Sequence, residues 1–202
     1  MLPTGGWPTV GLLTDADLGS WGAGHIIRTM FPLLVVLCGI VLWAGITLED
    51  AGDLLDRYGL LAVMVPAMIG MGGNLGSILS ARLSTRLHLG TTTFDPTDRL
   101  LWANVAAIFA LAATIFTALA VAVWLFGMVV GATLTLGQLL VISLLSGLSI
   151  AAIAVVASVV ATYGSYRLGI DPDDTTIPIV TNVVDVFGML VFLAVSRWVL
   201  VG

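Results

Sequence analysis

The sequence contains no lysine, one cysteine and two histidines, and only 9% of its 202 residues are charged. Each scarcity excludes a class. A single cysteine, Cys38 in an apolar run, leaves neither a disulfide framework nor a cysteine-built metal site. The seven basic residues are all arginine and face 12 acidic ones, giving a net charge of −5 and a pI near 4.6. That balance argues against a nucleic-acid partner. A soluble domain would carry about a quarter of its residues as charges. With 59% hydrophobic residues and a mean hydropathy of +1.12, the chain reads as an integral membrane protein built as one bundle.

Residues 1–25 lack the basic start of a signal peptide, contain Pro3 and Pro8, and precede an apolar run too long for a signal core. That run is expected to remain as the first anchor. Trp7 and Trp21 suit a membrane interface, and Asp15 and Asp17 a short surface helix or a frayed end. The expected division is a short interfacial segment, 1–25, and a transmembrane domain, 26–202.

Apolar runs near the roughly 20 residues needed to cross a bilayer follow one another. They predict an all-α, polytopic protein with five transmembrane helices over about 26–47, 59–81, 100–126, 138–162 and 178–200. Arg28, Arg82, Arg86, Arg99 and Arg167 fall on one side, Arg57 and Arg197 on the other. The positive-inside rule then puts the N-terminus in the cytoplasm and the C-terminus outside, as expected of a cell-membrane protein. The outer loop 48–58, with Glu49, Asp50, Asp53 and Asp56, reads as a solvated turn ahead of a cation-collecting mouth.

The third span carries Asn104, a residue type that usually hydrogen-bonds a neighbouring helix, and the fourth carries Ser143, Ser146, Gly147, Ser149 and Ser158. Small residues at that density indicate close helix packing first and a polar wall second. The turn 168–176 places Asp173 and Asp174 ahead of the last span, where carboxylates suit the positive end of a helix, and Pro178 in its first turn.

Two stretches resist a lipid-facing reading. Residues 65–90 put Pro66, a run of glycines and Asn74 where a lipid-facing helix would carry Leu and Val. Such backbone is tolerated at membrane depth when buried in protein or lining a wet cavity. In the last span Asp185 is the acidic residue inside a membrane segment, with no basic residue in a membrane core to pair with it. An intramembrane carboxylate is by default functional. Asp185 lies roughly 10 Å in from the Pro178 end, and Asn74 on an antiparallel helix roughly 8 Å from the same face. Pro178, Thr181, Asp185 and Gly188 share one helical stripe; Pro66, Gly70, Gly73, Asn74 and Ser77 share another. Carboxylate, amide, hydroxyl and backbone carbonyls are oxygen ligands, suited to a hard cation. One Asp per subunit gives a net −1 site and two subunits −2, enough to balance a divalent ion. A sparse site of this kind fits a largely hydrated Mg²⁺, while Ca²⁺, Mn²⁺ and Na⁺ stay open.

Pro66-Ala-Met-Ile-Gly-Met-Gly-Gly-Asn74, continuing through Ser80-Ala-Arg-Leu-Ser-Thr85, resembles the second-helix signature of the MgtE and solute carrier family 41 magnesium transporters. Asp171-Pro-Asp173 with Pro178-Ile-Val-Thr181 and Asp185-Val-Phe-Gly188 resembles the matching last-helix signature. The resemblance implies a five-helix domain that forms a homodimer in the bilayer, with a Mg²⁺ path along the two-fold axis lined by the second and fifth spans. By motif position, Asn74 and Asp185 would supply ion-site side chains, and Gly70, Thr181 and Gly188 backbone or lining positions. Bacterial members carry large cytoplasmic sensor domains before the first helix, whereas ~25 residues precede it here. Gating by such domains would be absent or supplied by a separate regulatory subunit.

The expected function is therefore transport of divalent cations, Mg²⁺ foremost. The alternatives are a Na⁺- or H⁺-coupled carrier of another divalent cation, or a non-transporting accessory subunit. An intramembrane aspartyl protease would need a second facing carboxylate. A serine hydrolase would need a buried Ser near a His, and His25 and His88 both sit at membrane edges. The chain is not expected to be an enzyme.

Overall fold

The computed structural model describes residues 23–90, 97–170 and 172–202. The interfacial segment expected at the start, with Trp7, Asp15, Asp17 and Trp21, lies outside the described residues, as do the side chains of His25, Asp173 and Asp174. The chain divides into two compact units, residues 1–36 and 37–202. In the first, the described residues form the opening half of helix α1 (Ala23–Glu49), with Pro32 inside it and Ile27, Phe31 and Leu34 exposed.

The second unit holds the rest of α1 and five further helices: α2 (Gly52–Arg57), α3 (Gly59–His88), α4 (Arg99–Val130), α5 (Leu136–Arg167) and α6 (Pro172–Val201). No strand occurs among the described residues. Among the described residues five helices, all but α2, are long and apolar enough to cross a membrane, so this is a multi-pass integral membrane protein. Their apolar residues run right round the helix. Leu111, Leu125 and Phe126 of α4 and Val156 and Val160 of α5 are exposed, as suits faces solvated by lipid.

α3 and α5 form the centre of the bundle: each packs against α4, α6 and the other, and α2 rests on α3. The core joins Met64, Met68, Leu75 and Leu79 of α3, Phe116 of α4, Ile142 and Ile150 of α5, and Val180, Val184 and Phe192 of α6. Between apolar helices in lipid, close approach and hydrogen bonds supply the specificity that the hydrophobic effect supplies in water. The small residues of α5 serve that purpose. Gly147 leaves room for the ring of Phe116, and Ser143 Oγ donates to the Phe116 carbonyl at 2.7 Å. Ser158 Oγ donates to the Gly76 carbonyl at 3.1 Å and accepts from Ser80 Oγ at 3.1 Å, which ties α5 to α3.

Two boundaries differ from the sequence reading. The acid-rich loop 48–58 contains a short helix, α2, whose Leu54 is buried while Asp53 and Asp56 face outward. α6 begins at Pro172, so Pro178 lies inside the helix. Proline suits a first helical position because it lacks only an N–H that would go unused there. Around Pro178 side chains fold back on the backbone. Thr181 Oγ1 donates to the carbonyls of Ile177 (3.0 Å) and Pro178 (3.2 Å), and Asn182 Nδ2 donates to Pro178 at 2.8 Å.

Candidate functional site

The glycine-rich stretch is an unbroken part of α3, and its glycines divide by the direction each faces. A Cβ on Gly72 would stand 2.5 Å from Ile150 Cγ2 and 3.0 Å from Val184 Cγ1, and one on Gly76 would stand 2.6 Å from Val180 Cγ1. These two bring α3 hard against α5 and α6. Gly70 faces the other way, with nothing within 4 Å of its Cβ position. Gly73 lies between these directions. Its Cβ position is 3.1 Å from Asp185 Oδ1 and 3.8 Å from Thr181 Cγ2.

The two helices thus meet with a carboxylate laid against bare backbone. Asp185 is half-buried, and among the described residues it has no hydrogen-bond or ion-pair partner. Asn74, the next residue after Gly73, is exposed and likewise without a partner among them. Pro66 and Gly70 extend the same exposed face along α3. Ser77 Oγ donates to the Gly73 carbonyl at 3.0 Å, so that oxygen is already engaged within the helix.

The five residues singled out from sequence fall into three groups. Asp185 and Thr181 converge on Gly73, Thr181 through its methyl while its hydroxyl bonds its own helix. Asn74 and Gly70 occupy the adjoining open face of α3. Gly188 is buried with its Cβ position 3.2 Å from Ile150 Cγ1, toward α5. Gly73 itself was on the predicted stripe without a role of its own, and only the packing of α6 shows it as the seat of the carboxylate. Asn182 carried no signal beyond being polar in a span, and its amide serves the Pro178 carbonyl.

An unpaired carboxylate and amide within apolar spans, beside an open face, offer oxygen ligands and room for water. Among the described residues no three His, Cys, Asp or Glu side chains cluster as a conventional metal cage would require. A site this sparse can hold a hard cation only with most of its water retained.

Residues 65–195, from α3 through α6 and including all five of these positions, match the family model MgtE, divalent cation transporter. The chain belongs to the MgtE family. It is a family of membrane transporters, not of enzymes. Among curated proteins, this MgtE-family chain is similar to solute carrier family 41 member 2 of Mus musculus, with 28% identity over 96% of the chain and 37% of the relative. The Homo sapiens protein of the same name matches equally, and that of Gallus gallus is 28% identical over 87% of the chain and 31% of the relative. The chain spans about a third of the length of these relatives.

Proposed function

We propose that this chain carries divalent cations, foremost Mg²⁺, across the membrane along a path lined by α3 and α6 of two copies related by a two-fold axis. The observation that carries the reading is Asp185: a carboxylate in a membrane span, unpaired, seated on Gly73 beside the open Pro66–Gly70–Asn74 face. A polar face of this kind does not belong against lipid, and a second copy would cover it while doubling the charge from −1 to −2. Asp185 and Asn74 are then the side chains nearest the ion. Gly70 presents backbone, and Thr181 and Gly188 shape the wall and hold α6 in place. The ion keeps much of its hydration shell, as the sparse ligand set demands of Mg²⁺. Arginine placement supports an N-terminus in the cytoplasm and a C-terminus outside.

Flux of Mg²⁺ into proteoliposomes tests this. Wild-type protein is expected to conduct, and Asp185→Asn and Asp185→Ala to abolish flux while the protein still assembles. Full flux in a well-folded Asp185→Ala protein would overturn the role given to this residue. The same vesicles with an imposed Na⁺ or pH gradient separate a passive path from a coupled carrier.

A further inference from the structure

A second polar assembly lies away from the α3–α6 site, where the last turns of α3 meet the first turns of α4. Thirty residues make α3 about 45 Å long at 1.5 Å per residue. A hydrocarbon core is about 30 Å thick. The closing turns of α3, which carry Arg82 and Arg86, therefore reach toward the headgroup zone. α4 starts at Arg99 and exposes Trp102 in its first turn, an aromatic type that settles at headgroup level.

An open cavity of about 620 Å³ lies between these helix ends. Its polar lining is Arg82, Thr85, Arg86 and Asn104, and its apolar lining is Leu100 in the first turn of α4 and Ala103 and Ala107 further along that helix, with Ala81 of α3. The two arginines are held differently. Arg86 Nη2 is ion-paired with Asp98 Oδ2 at 2.8 Å. Arg82 Nη1 donates to Asn104 Oδ1 at 3.1 Å, and that amide is fixed in turn by Nδ2 donating to the Leu100 carbonyl at 2.8 Å. Arg82 thus rests on a neutral partner, and no carboxylate among the described residues balances it. A guanidinium has five N–H donors and cannot discard its charge. Near the headgroup zone, the anion that supplies both acceptors and countercharge is a phosphate.

We propose that this cavity seats one anionic phospholipid. Its phosphate is bound by the free N–H groups of Arg82, whose plane Asn104 sets, and an acyl chain runs along Ala103 and Ala107. Ala107 stands about one turn further along α4 than Asn104, on which Arg82 rests, so apolar wall follows the cation toward the membrane interior, as the acyl chain follows the phosphate in the lipid. A soluble phosphate would use only the first half. The volume is in the range of pockets that enclose small ligands.

The test uses the full chain in detergent. Lipid retention by native mass spectrometry and thermal unfolding are measured with phosphatidylglycerol, phosphatidylcholine and inorganic phosphate. Wild-type protein is expected to prefer phosphatidylglycerol over phosphatidylcholine by about fivefold, the increment one basic residue supplies near a surface. Arg82→Gln is expected to remove the preference, Arg82→Lys to keep part of it, and Ala103→Phe, which fills the cavity without altering charge, to abolish retention. Equal retention of both lipids by wild type, or an undiminished preference in Arg82→Gln, would overturn the site. Millimolar inorganic phosphate matching the lipid would make it a soluble-anion site. Loss in Arg82→Gln with full retention in Ala103→Phe would reduce it to surface attraction without a seat.

Discussion

Asp185 Oδ1 lies 3.1 Å from the point that a Cβ on Gly73 would occupy. The membrane-embedded carboxylate therefore rests on α3 at a position that a side chain would crowd. Gly73→Val should push the carboxylate away and strain the α3–α6 contact, at a cost typical of overpacking, about 1–3 kcal/mol. Mg²⁺ flux in proteoliposomes should fall sharply, and Gly73→Ala should show a milder loss. Undiminished flux in Gly73→Val would separate the glycine from the ion path.

The neighbouring glycines permit a sharper comparison by thermal unfolding. Replacing a mid-helix glycine by alanine gains roughly 0.5–1 kcal/mol of backbone entropy where there is space. Gly70 has that space, so Gly70→Ala should be neutral or stabilising. At Gly72 the new methyl meets Ile150 Cγ2 at 2.5 Å, and an overpacking cost of about 1–3 kcal/mol outweighs the gain. Gly72→Ala should therefore unfold at lower temperature than wild type, in the opposite direction to Gly70→Ala.

If two copies cover the open face of α3, cysteines placed on it should find one another. Cys38 is exposed and would confuse the result, so it is first replaced by serine. Gly70→Cys or Asn74→Cys in that background should form a cross-linked dimer on oxidation in the membrane, whereas Leu125→Cys on the lipid-facing side of α4 should not. Monomer from all three would argue against the two-fold arrangement.

Asp98 caps α4 by accepting from the Leu100 N–H at 2.8 Å while pairing with Arg86. The Arg86 hydrogen bond first, and the Leu100 N–H second, hold its carboxyl below the usual carboxylate range. A depressed pKa contributes stability that is fully present above the unfolded value, about 3.9, and is lost as pH falls through the folded value. Amide exchange at the start of α4 should accordingly quicken as pH drops below about 4, after correction for intrinsic rates. Asp98→Asn keeps a capping oxygen but not the charge, and should flatten that dependence.

Run length was legible in the sequence because it is local: a span needs enough consecutive apolar residues, whatever surrounds it. All five spans lie where hydropathy placed them. Helix ends were less legible, because a membrane helix continues past the lipid into polar residues that keep their helix propensity. α3 runs on to His88 through Arg82, Ser84 and Arg86, beyond the expected end near Ala81. α6 likewise starts six residues before Pro178. The expectation that Asn104 would bond a neighbouring helix is met by Arg82.

The sequence by itself determined that this is a five-span membrane protein with one carboxylate, Asp185, in a place where carboxylates are costly. It also put Asn74 and Asp185 on stripes at similar depth, since helical period and rise are properties of the chain alone. It could not assign the glycines. Gly70, Gly72, Gly73 and Gly76 are chemically identical, and their roles depend on which neighbour stands opposite each absent Cβ. Only the tertiary structure set Gly72 and Gly76 against α5 and α6, left Gly70 open, and laid Asp185 on Gly73. Those distinctions arise from the packing of α3 against α5 and α6, a contact between segments up to about a hundred residues apart that no local pattern encodes.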